Sequence, residues 1–453
     1  MSKAFRLSSL SPADLPRDLG NGFTLRRSTR ADADALADFN KMIFREPPST
    51  DPDELVAAWT HDLLRGDHPT FSADDFTIVE EAATGRIVSS MNLISQTWTY
   101  DGIPFGVGRP ELVGTEPEYR KRGLVRHQFE VIHALSAERG EMVQAITGIP
   151  YYYRQFGYEM AMGLGGGRQG NAANVPKLKE GEVEPFRLRA AVEADLPFIL
   201  EVDGYAARQN LVYCTRDASL WRYELWGKRE KNGNRLDWFI IETAAGEAVG
   251  MLGSSITLWG TRLGITHFEL KAGVSWLLVA PAVLRAVKAI GETLAAREGK
   301  PLADLFFCLG EDHPICHVTP TRLPEVRRVY AWYLRVPDLA GFLRHIAPAL
   351  ERRLAQSVAA GHTGELRLNF YRTGLRLAFQ GGRLAAVESW TPERADDGSA
   401  GFPGQTFLQI LFGYRSLGAL RSAVPDCWCD GDDASVLLEA LFPRRRSVFW
   451  PVA

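Results

Sequence analysis

Val113-Gly114-Thr115-Glu116-Pro117-Glu118-Tyr119-Arg120-Lys121-Arg122-Gly123-Leu124-Val125-Arg126 decides the fold. Apolar and β-branched residues end at Thr115, Pro117 interrupts the strand, and Val125, Phe129, Ile132 and Leu135 follow at helical spacing. The stretch reads as a strand, a tight basic turn and a helix that starts between Arg120 and Gly123. The first N–H groups of a helix lack internal acceptors and the macrodipole is positive there, so a phosphate finds ready donors. Gly123 permits close backbone approach, and Arg120, Lys121, Arg122 and Arg126 add positive charge, as a pyrophosphate requires.

Arg-x-x-Gly-Leu alone arises by chance in any chain rich in arginine and glycine, and a solvated basic helix start explains it equally well. The residues downstream make it specific. Arg139-Gly140 closes the helix, Val143 to Thr147 reads as the next strand, and Tyr151-Tyr152-Tyr153-Arg154-Gln155-Phe156-Gly157-Tyr158 comes after it. This order of strand, Arg/Gly turn, helix, strand and Tyr-x-x-Phe-Gly-Tyr resembles the GNAT acetyltransferases, a superfamily of acyl-CoA-dependent N-acyltransferases.

A chain of 453 residues exceeds one ordinary core, so two to three domains are expected. A net charge of −3 gives no general reason to invoke nucleic acid or an anionic membrane, which makes the basic turn a local feature. Met1 to Gly20 has no continuous apolar core and does not read as a secretory signal. The most apolar long window, Trp276 to Ala296, is interrupted by Arg285, Lys288 and Glu292, too polar to span a bilayer. A cytoplasmic location is the expectation, and five cysteines, an odd number, fit reduced thiols. His313-Pro314-Ile315-Cys316-His317 lacks the second cysteine pair of a structural zinc site, and Cys427-Trp428-Cys429 reads as a packed edge strand, so no metal is expected.

An internal repeat organises the chain. Phe23-Thr24-Leu25-Arg26 leading to Asp32 is echoed by Phe186-Arg187-Leu188-Arg189 leading to Asp195, each a short strand before a helix. Phe76 to Glu80 with Gly85 to Val88 is matched by Trp238 to Glu242 with Gly246 to Val249, hairpins at similar distances from the opening strand. In the second copy Trp276 to Val279 reads as a strand passing into Ala280 to Arg285, without an Arg-x-x-Gly turn or a Tyr-x-x-Phe-Gly-Tyr equivalent. That copy is expected to be non-catalytic. Gly163 to Asn171, rich in glycine, reads as the linker between copies. A third unit opens with an amphipathic helix over Leu339 to Gln356. Two half-buried strands come next, Gly364 to Phe370 and Leu375 to Phe379, then helices near Thr406, Ser416 and Ala434.

Two GNAT copies and then a small α+β domain resemble the Eis-type (enhanced intracellular survival) acetyltransferases. The expected fold is α/β and α+β: two tandem GNAT-fold domains of mixed sheet flanked by helices, then a domain like sterol carrier protein. Residues 1–165 are expected to be catalytic, 166–335 degenerate and 336–453 the carrier-like domain. The resemblance implies acetyl-CoA as cosubstrate, with Val113 and Thr115 presenting backbone groups to pantetheine and Arg120, Lys121, Arg122, Gly123, Leu124 and Val125 surrounding the phosphates. An aliphatic residue at Val125, where many GNAT proteins have Gly or Ala, fits the Eis-type branch.

Amine attack on a thioester needs a proton acceptor for the amine and a donor for the departing thiolate. Tyr153 matches the family's general acid when aligned on Phe156-Gly157-Tyr158, and Tyr151 and Tyr152 are its neighbours. The resemblance gives the base role to the chain's terminal carboxylate, here Ala453, although this chain ends in Pro-Val-Ala where the family ends at an aromatic residue. A tail that merely packs explains the same residues. His127 and His133 read as surface or satisfied histidines. The acidic Glu46, Asp51 and Asp53 lie where acceptor loops sit in such folds, and a solvated loop accounts for them equally.

The implied function is acetyl transfer to primary amines of a polyamine, an aminoglycoside-like compound or lysine, with no nucleic acid, no membrane, and a trimer or hexamer by resemblance. Two alternatives stay open: a double-GNAT aminoacyl or peptidyl transferase, and a non-catalytic lipid-binding scaffold.

Overall fold

The computed structural model describes residues 14–45, 50–447 and 449–453, so most of Met1 to Gly20, and all of Glu46, lie outside the described residues. The first copy runs β1 (Arg17–Gly20), β2 (Phe23–Arg27), α1 (Ala33–Ile43), α2 (Glu54–Arg65), β3 (Phe76–Glu81), β4 (Arg86–Tyr100), β5 (Ile103–Thr115), α3 (Leu124–Glu138), β6 (Val143–Ile146) and β7 (Glu159–Leu164). The second runs β8 (Gly167–Asn171), β9 (Phe186–Ala190), α4 (Leu196–Gln209), β10 (Val212–Cys214), α5 (Ala218–Arg222), β11 (Leu236–Thr243), β12 (Ala248–Ser255), β13 (Arg262–Leu270), α6 (Trp276–Glu298), β14 (Asp304–Phe307), α7 (Pro314–Val318), β15 (Glu325–Arg327) and β16 (Tyr330–Arg335). The third runs α8 (Leu339–His345), α9 (Ala347–Ala355), β17 (Gly364–Asn369), β18 (Gly374–Gln380), β19 (Arg383–Trp390), β20 (Ala400–Gly401), α10 (Phe407–Leu411), α11 (Leu417–Ala423), β21 (Trp428–Cys429) and α12 (Gly431–Leu441).

Mixed sheets flanked by helices form two tandem GNAT-like folds. The repeat is visible in side-chain chemistry as well as in element order. Arg26 Nη2 donates to Asp32 Oδ1 at 2.7 Å and pairs with Glu80, and Arg189 Nη2 donates to Asp195 Oδ1 at 2.7 Å while its Nε reaches Glu242. In each copy the arginine of the opening strand ties the first hairpin to the start of the first helix.

The copies exchange strands. The first sheet is ordered β1-β2-β3-β4-β5-β6-β16-β7, with β10 paired to the far end of β4, and the second is β15-β8-β14-β13-β12-β11-β9. Thus β8, which follows β7 directly, already pairs in the second sheet, while β10 and β16 of the second copy cross into the first, β16 lying between β6 and β7. The glycine-rich stretch over Gly163 to Asn171 is therefore not a loose linker but a tight crossover between two strands. Gly166 and Gly167 have φ of +71° and +127°, and a Cβ on Gly167 would lie 2.2 Å from the Phe307 carbonyl oxygen. Only glycine fits there.

Trp276 to Val279 is the first turn of α6, not a strand; the strand of that copy is β13. A short apolar run does not by itself distinguish a strand from a buried helix end, and here Leu277 and Leu278 are exposed. The amphipathic stretch from Leu339 divides at Ile346, with Pro348 in the first turn of α9. The third sheet, β19-β18-β17-β20-β21, places Trp428–Cys429 on its edge. Its core is continuous with the first sheet, because Trp98, Tyr100 and Phe105 pack in one cluster with Phe342, Leu377, Phe412 and Phe449.

α3 covers one face of the first sheet with Phe129, Ile132 and Leu135. α1 and α2 cover the other with Leu36, Phe39, Trp59 and Leu63. Asp53, from the acidic run, caps α2 by accepting from the Leu55 and Val56 N–H groups at 3.0 and 3.1 Å.

Candidate functional site

A bulge and a free edge on β5 make the site. Ser90 faces Gly114 and Asn92 faces Glu111, so Leu112 and Val113 together oppose the single Met91, and Leu112 adopts φ +50°. On its other side β5 pairs with β6 only at Val107↔Val143 and Gly108↔Gln144. Beyond that point β6 turns toward β16, and the two strands part as a wedge. The Glu116 N–H donates to the Val88 carbonyl at 3.0 Å, so by strand alternation Gly114 faces β4 while Val113 and Thr115 turn their backbone groups to the wedge. These are the two positions that the family resemblance implies for pantetheine.

The basic turn closes one end of the wedge. After a 3-10 turn at Pro117–Tyr119, Lys121 and Gly123 take φ of +63° and +80°, and α3 begins at Leu124 with no side-chain cap among the described residues. A Cβ on Gly123 would meet nothing within 4 Å, so the glycine serves its left-handed conformation and leaves open space over the helix start. Arg120 Nε donates to the Thr115 carbonyl at 3.2 Å, Arg122 stacks over Phe23 and Tyr119, and Arg126 stacks over Phe156. Among the described residues no carboxylate pairs with Arg120, Lys121, Arg122 or Arg126. Their charge, the uncapped helix start and the free edge of β5 together fit an extended ligand carrying a pyrophosphate.

Tyr153 lies in the 3-10 turn Tyr152–Phe156 that follows β6, 2% exposed, packed on Phe129, Tyr158 and Tyr333. A Cβ on Gly148 would sit 3.7 Å from its hydroxyl, which therefore points to the end of β6. Burial raises its pKa, and the nearby Glu111 charge raises it further, so the phenol stays a neutral donor. Tyr151 is 72% exposed and Tyr152 half-buried. The Tyr333 hydroxyl accepts from the Tyr151 N–H at 2.5 Å, so a residue of the exchanged strand β16 helps to hold this turn. His133 is satisfied by the Tyr158 hydroxyl at 3.0 Å, and His127 stays partly exposed.

The chain's end comes to the α1–α2 face of the same sheet. Ala453 is buried with Phe39, Ile94 and Leu112, at the bulge itself. The Val452 carbonyl accepts from Gln96 Nε2 at 2.6 Å and Arg109 Nη1 at 2.7 Å, while Arg109 Nη2 donates to Glu111 Oε1 at 2.6 Å. The terminal residue is thus fixed against the bulge and joined through Arg109 to the carboxylate that acts on Tyr153. Asn92, cross-strand from Glu111, is fully buried with neither amide atom hydrogen-bonded.

Sequence reasoning missed Gln96, Arg109, Glu111 and Tyr333. Arg109 carried a signal, a lone charge in the glycine-rich run Val107-Gly108-Arg109-Pro110. Nothing local marked Tyr333, which reaches the site only through strand exchange. Among the described residues no cluster of histidine, cysteine or carboxylate side chains could hold a metal.

Residues 24–161 match the family model of the acetyltransferase (GNAT) domain. Three solved structures share the fold across 95% of this chain. One is a conserved protein from Enterococcus faecalis V583 described as a probable N-acyltransferase, with 15% identity, 99% of that chain covered and a TM-score of 0.63. A GCN5-related N-acetyltransferase from Kribbella flavida is 18% identical, covered over 100% of its length, with a TM-score of 0.62. Eis1 from Mycobacterium abscessus is 14% identical, covered over 98%, with a TM-score of 0.57. No curated protein sequence matches the chain. The chain carries a GNAT acetyltransferase domain and is an acyltransferase. Among the described residues no helix is long and apolar enough to cross a membrane.

Proposed function

We propose that the enzyme transfers an acetyl group from acetyl-CoA to a primary amine of a polyamine, an aminoglycoside-like compound or a lysine side chain, in the wedge of the first copy. The observation that carries this reading is the meeting of an uncapped, cation-ringed helix start with the unpaired edge of β5. GNAT domains use acetyl-CoA, which supplies the activated acyl thioester. Arg120, Lys121, Arg122, Gly123, Leu124 and Val125 surround the pyrophosphate, and Val113 and Thr115 offer backbone groups to pantetheine.

The Ala453 carboxylate takes the proton from the acceptor ammonium, freeing its lone pair. The amine nitrogen attacks the thioester carbonyl, the C–N bond forms as the C–S bond breaks, and Tyr153 gives its proton to the leaving sulfur. The resemblance to the Eis-type enzymes supports reading residues 1–165 as catalytic, 166–335 as degenerate and 336–453 as a domain like sterol carrier protein. It also supports a trimer or hexamer. Calorimetric titration with acetyl-CoA tests the site: one equivalent per chain is expected, lost in Gly123→Glu, and no binding by the parent chain removes the reading.

A further inference from the structure

The second copy repeats the wedge of the first, and there it is full. β13 and β14 pair in parallel up to Ile265↔Phe307 and then part, the Cys308 N–H still reaching the Ile265 carbonyl at 2.8 Å. Into the gap comes His313, 1% exposed. Its Nδ1 accepts from the Ile315 N–H at 3.2 Å, so the ring proton lies on Nε2, which donates to the Phe268 carbonyl at 2.9 Å. That carbonyl belongs to the stretch of β13 where a ligand pairing with the strand edge would lie. The remaining void is about 20 Å³, bordered by Tyr213, Thr266, Glu269, Arg446 and Phe449. No pantetheine fits in it.

Two of those residues belong to the chain's own C-terminal segment. Arg446 Nη2 lies 3.4 Å from Glu269 Oε1, and the Arg446 carbonyl accepts from the Leu211 N–H at 2.7 Å. The Phe449 ring sits edge-on to Trp98, with centroids 4.8 Å apart. Trp450 Nε1 donates to the Cys308 carbonyl at 3.3 Å, at the base of the second wedge, and the Trp450 carbonyl accepts from Arg216. Immediately beyond, Val452 and Ala453 reach the bulge of the first sheet. Residues 449–453 join no sheet, so side-chain contacts set their path.

We infer that the wedge of the second copy is a seat for the chain's own last residues, and that Glu269 and Arg446 are positioning residues that fix where the Ala453 carboxylate lies against β5. A cleft that would receive an acyl carrier receives instead the segment that completes the other copy's site. The seating stands on geometry alone; only its effect on turnover rests on the proposed acetyl transfer.

Glu269→Gln and Arg446→Met, made in the full chain, test the inference with two readouts. Carboxypeptidase release of Ala453 is expected to be slow in the parent and about tenfold faster or more in both variants, with Arg446→Lys between. Acetyl-CoA affinity by calorimetry is expected to stay within about twofold. Deleting Ala453 is expected to lower turnover in the parent and to cost clearly less in Glu269→Gln, since the positioning is already lost. Release unchanged in both variants overturns the inference, as does a deletion cost that is fully additive. If a variant does not fold, Arg446→Lys alone decides, by faster or unchanged release. Failure of the parent to bind acetyl-CoA overturns the proposed function and leaves the release experiment to judge the seat.

Discussion

Arg109 donates from Nη1 to the Val452 carbonyl at 2.7 Å and from Nη2 to Glu111 at 2.6 Å, so one guanidinium ties the central strand of the first sheet to the penultimate residue of the chain. In Arg109→Met the Glu111 carboxylate loses its guanidinium partner and the Val452 carbonyl keeps only Gln96 Nε2, and leaving a buried charge unpaired costs about 2 kcal/mol or more. The variant is expected to show a lower denaturant midpoint and a turnover reduced by about tenfold or more. Turnover equal to the parent's would separate the tail from the chemistry.

Gly123 is expected to tolerate alanine poorly and glutamate not at all. Its φ of +80° costs a residue with a Cβ about 1 kcal/mol. The side chain itself meets open space, so Gly123→Ala should lose roughly that much stability and bind acetyl-CoA somewhat more weakly. A glutamate adds a negative charge where the helix start attracts one, so calorimetry should report at least a hundredfold loss, about 2.7 kcal/mol.

Tyr153→Phe keeps the ring in its pocket and removes only the proton. Loss of a general acid typically lowers kcat by about 10²–10⁴-fold, and acetyl-CoA affinity should barely change. Because burial raises the phenol's pKa, no alkaline fall in the rate of the parent enzyme below about pH 10 should trace to this residue. Full turnover in the phenylalanine variant would remove the acid assignment.

His133 and His68 give the fold an acid limit. Burial holds both near pKa 3, well below the ordinary 6.5. Between those values the unfolded chain binds their protons and the folded chain does not. Their contribution is therefore intact above about pH 6.5 and lost as pH falls toward 3, at up to about 1.4 kcal/mol per pH unit for each histidine. Denaturant midpoints measured from pH 7 to 4 should fall, and His133→Gln should flatten the slope.

Much of the first copy was legible because its features are local. The strand, turn and helix around Gly123, and the turn carrying Tyr153, arise from residues adjacent in sequence, and each lies where the spacing put it. The repeat was legible for the same reason, in the paired Arg26 and Arg189. What was not legible depends on distant chain segments. β16 enters the first sheet from residues 330–335, bringing Tyr333 to the site, and no local pattern encodes that exchange. Gly166 and Gly167 read as flexible by composition, whereas close packing against Val329 and Phe307 makes them a fixed crossover. Arg109 was missed although it is a charge in an otherwise uncharged run, because its partner lies at the far end of the chain.

The most direct test of acetyl transfer in the first wedge is thiol release from acetyl-CoA, measured across a panel of primary amines with the parent chain and Gly123→Glu. Release is expected to depend on the amine, to saturate with acetyl-CoA, and to disappear in the glutamate variant. Amine-dependent release that persists undiminished in Gly123→Glu would contradict transfer at this site, because the acyl donor would then be held somewhere other than the turn that leads into α3.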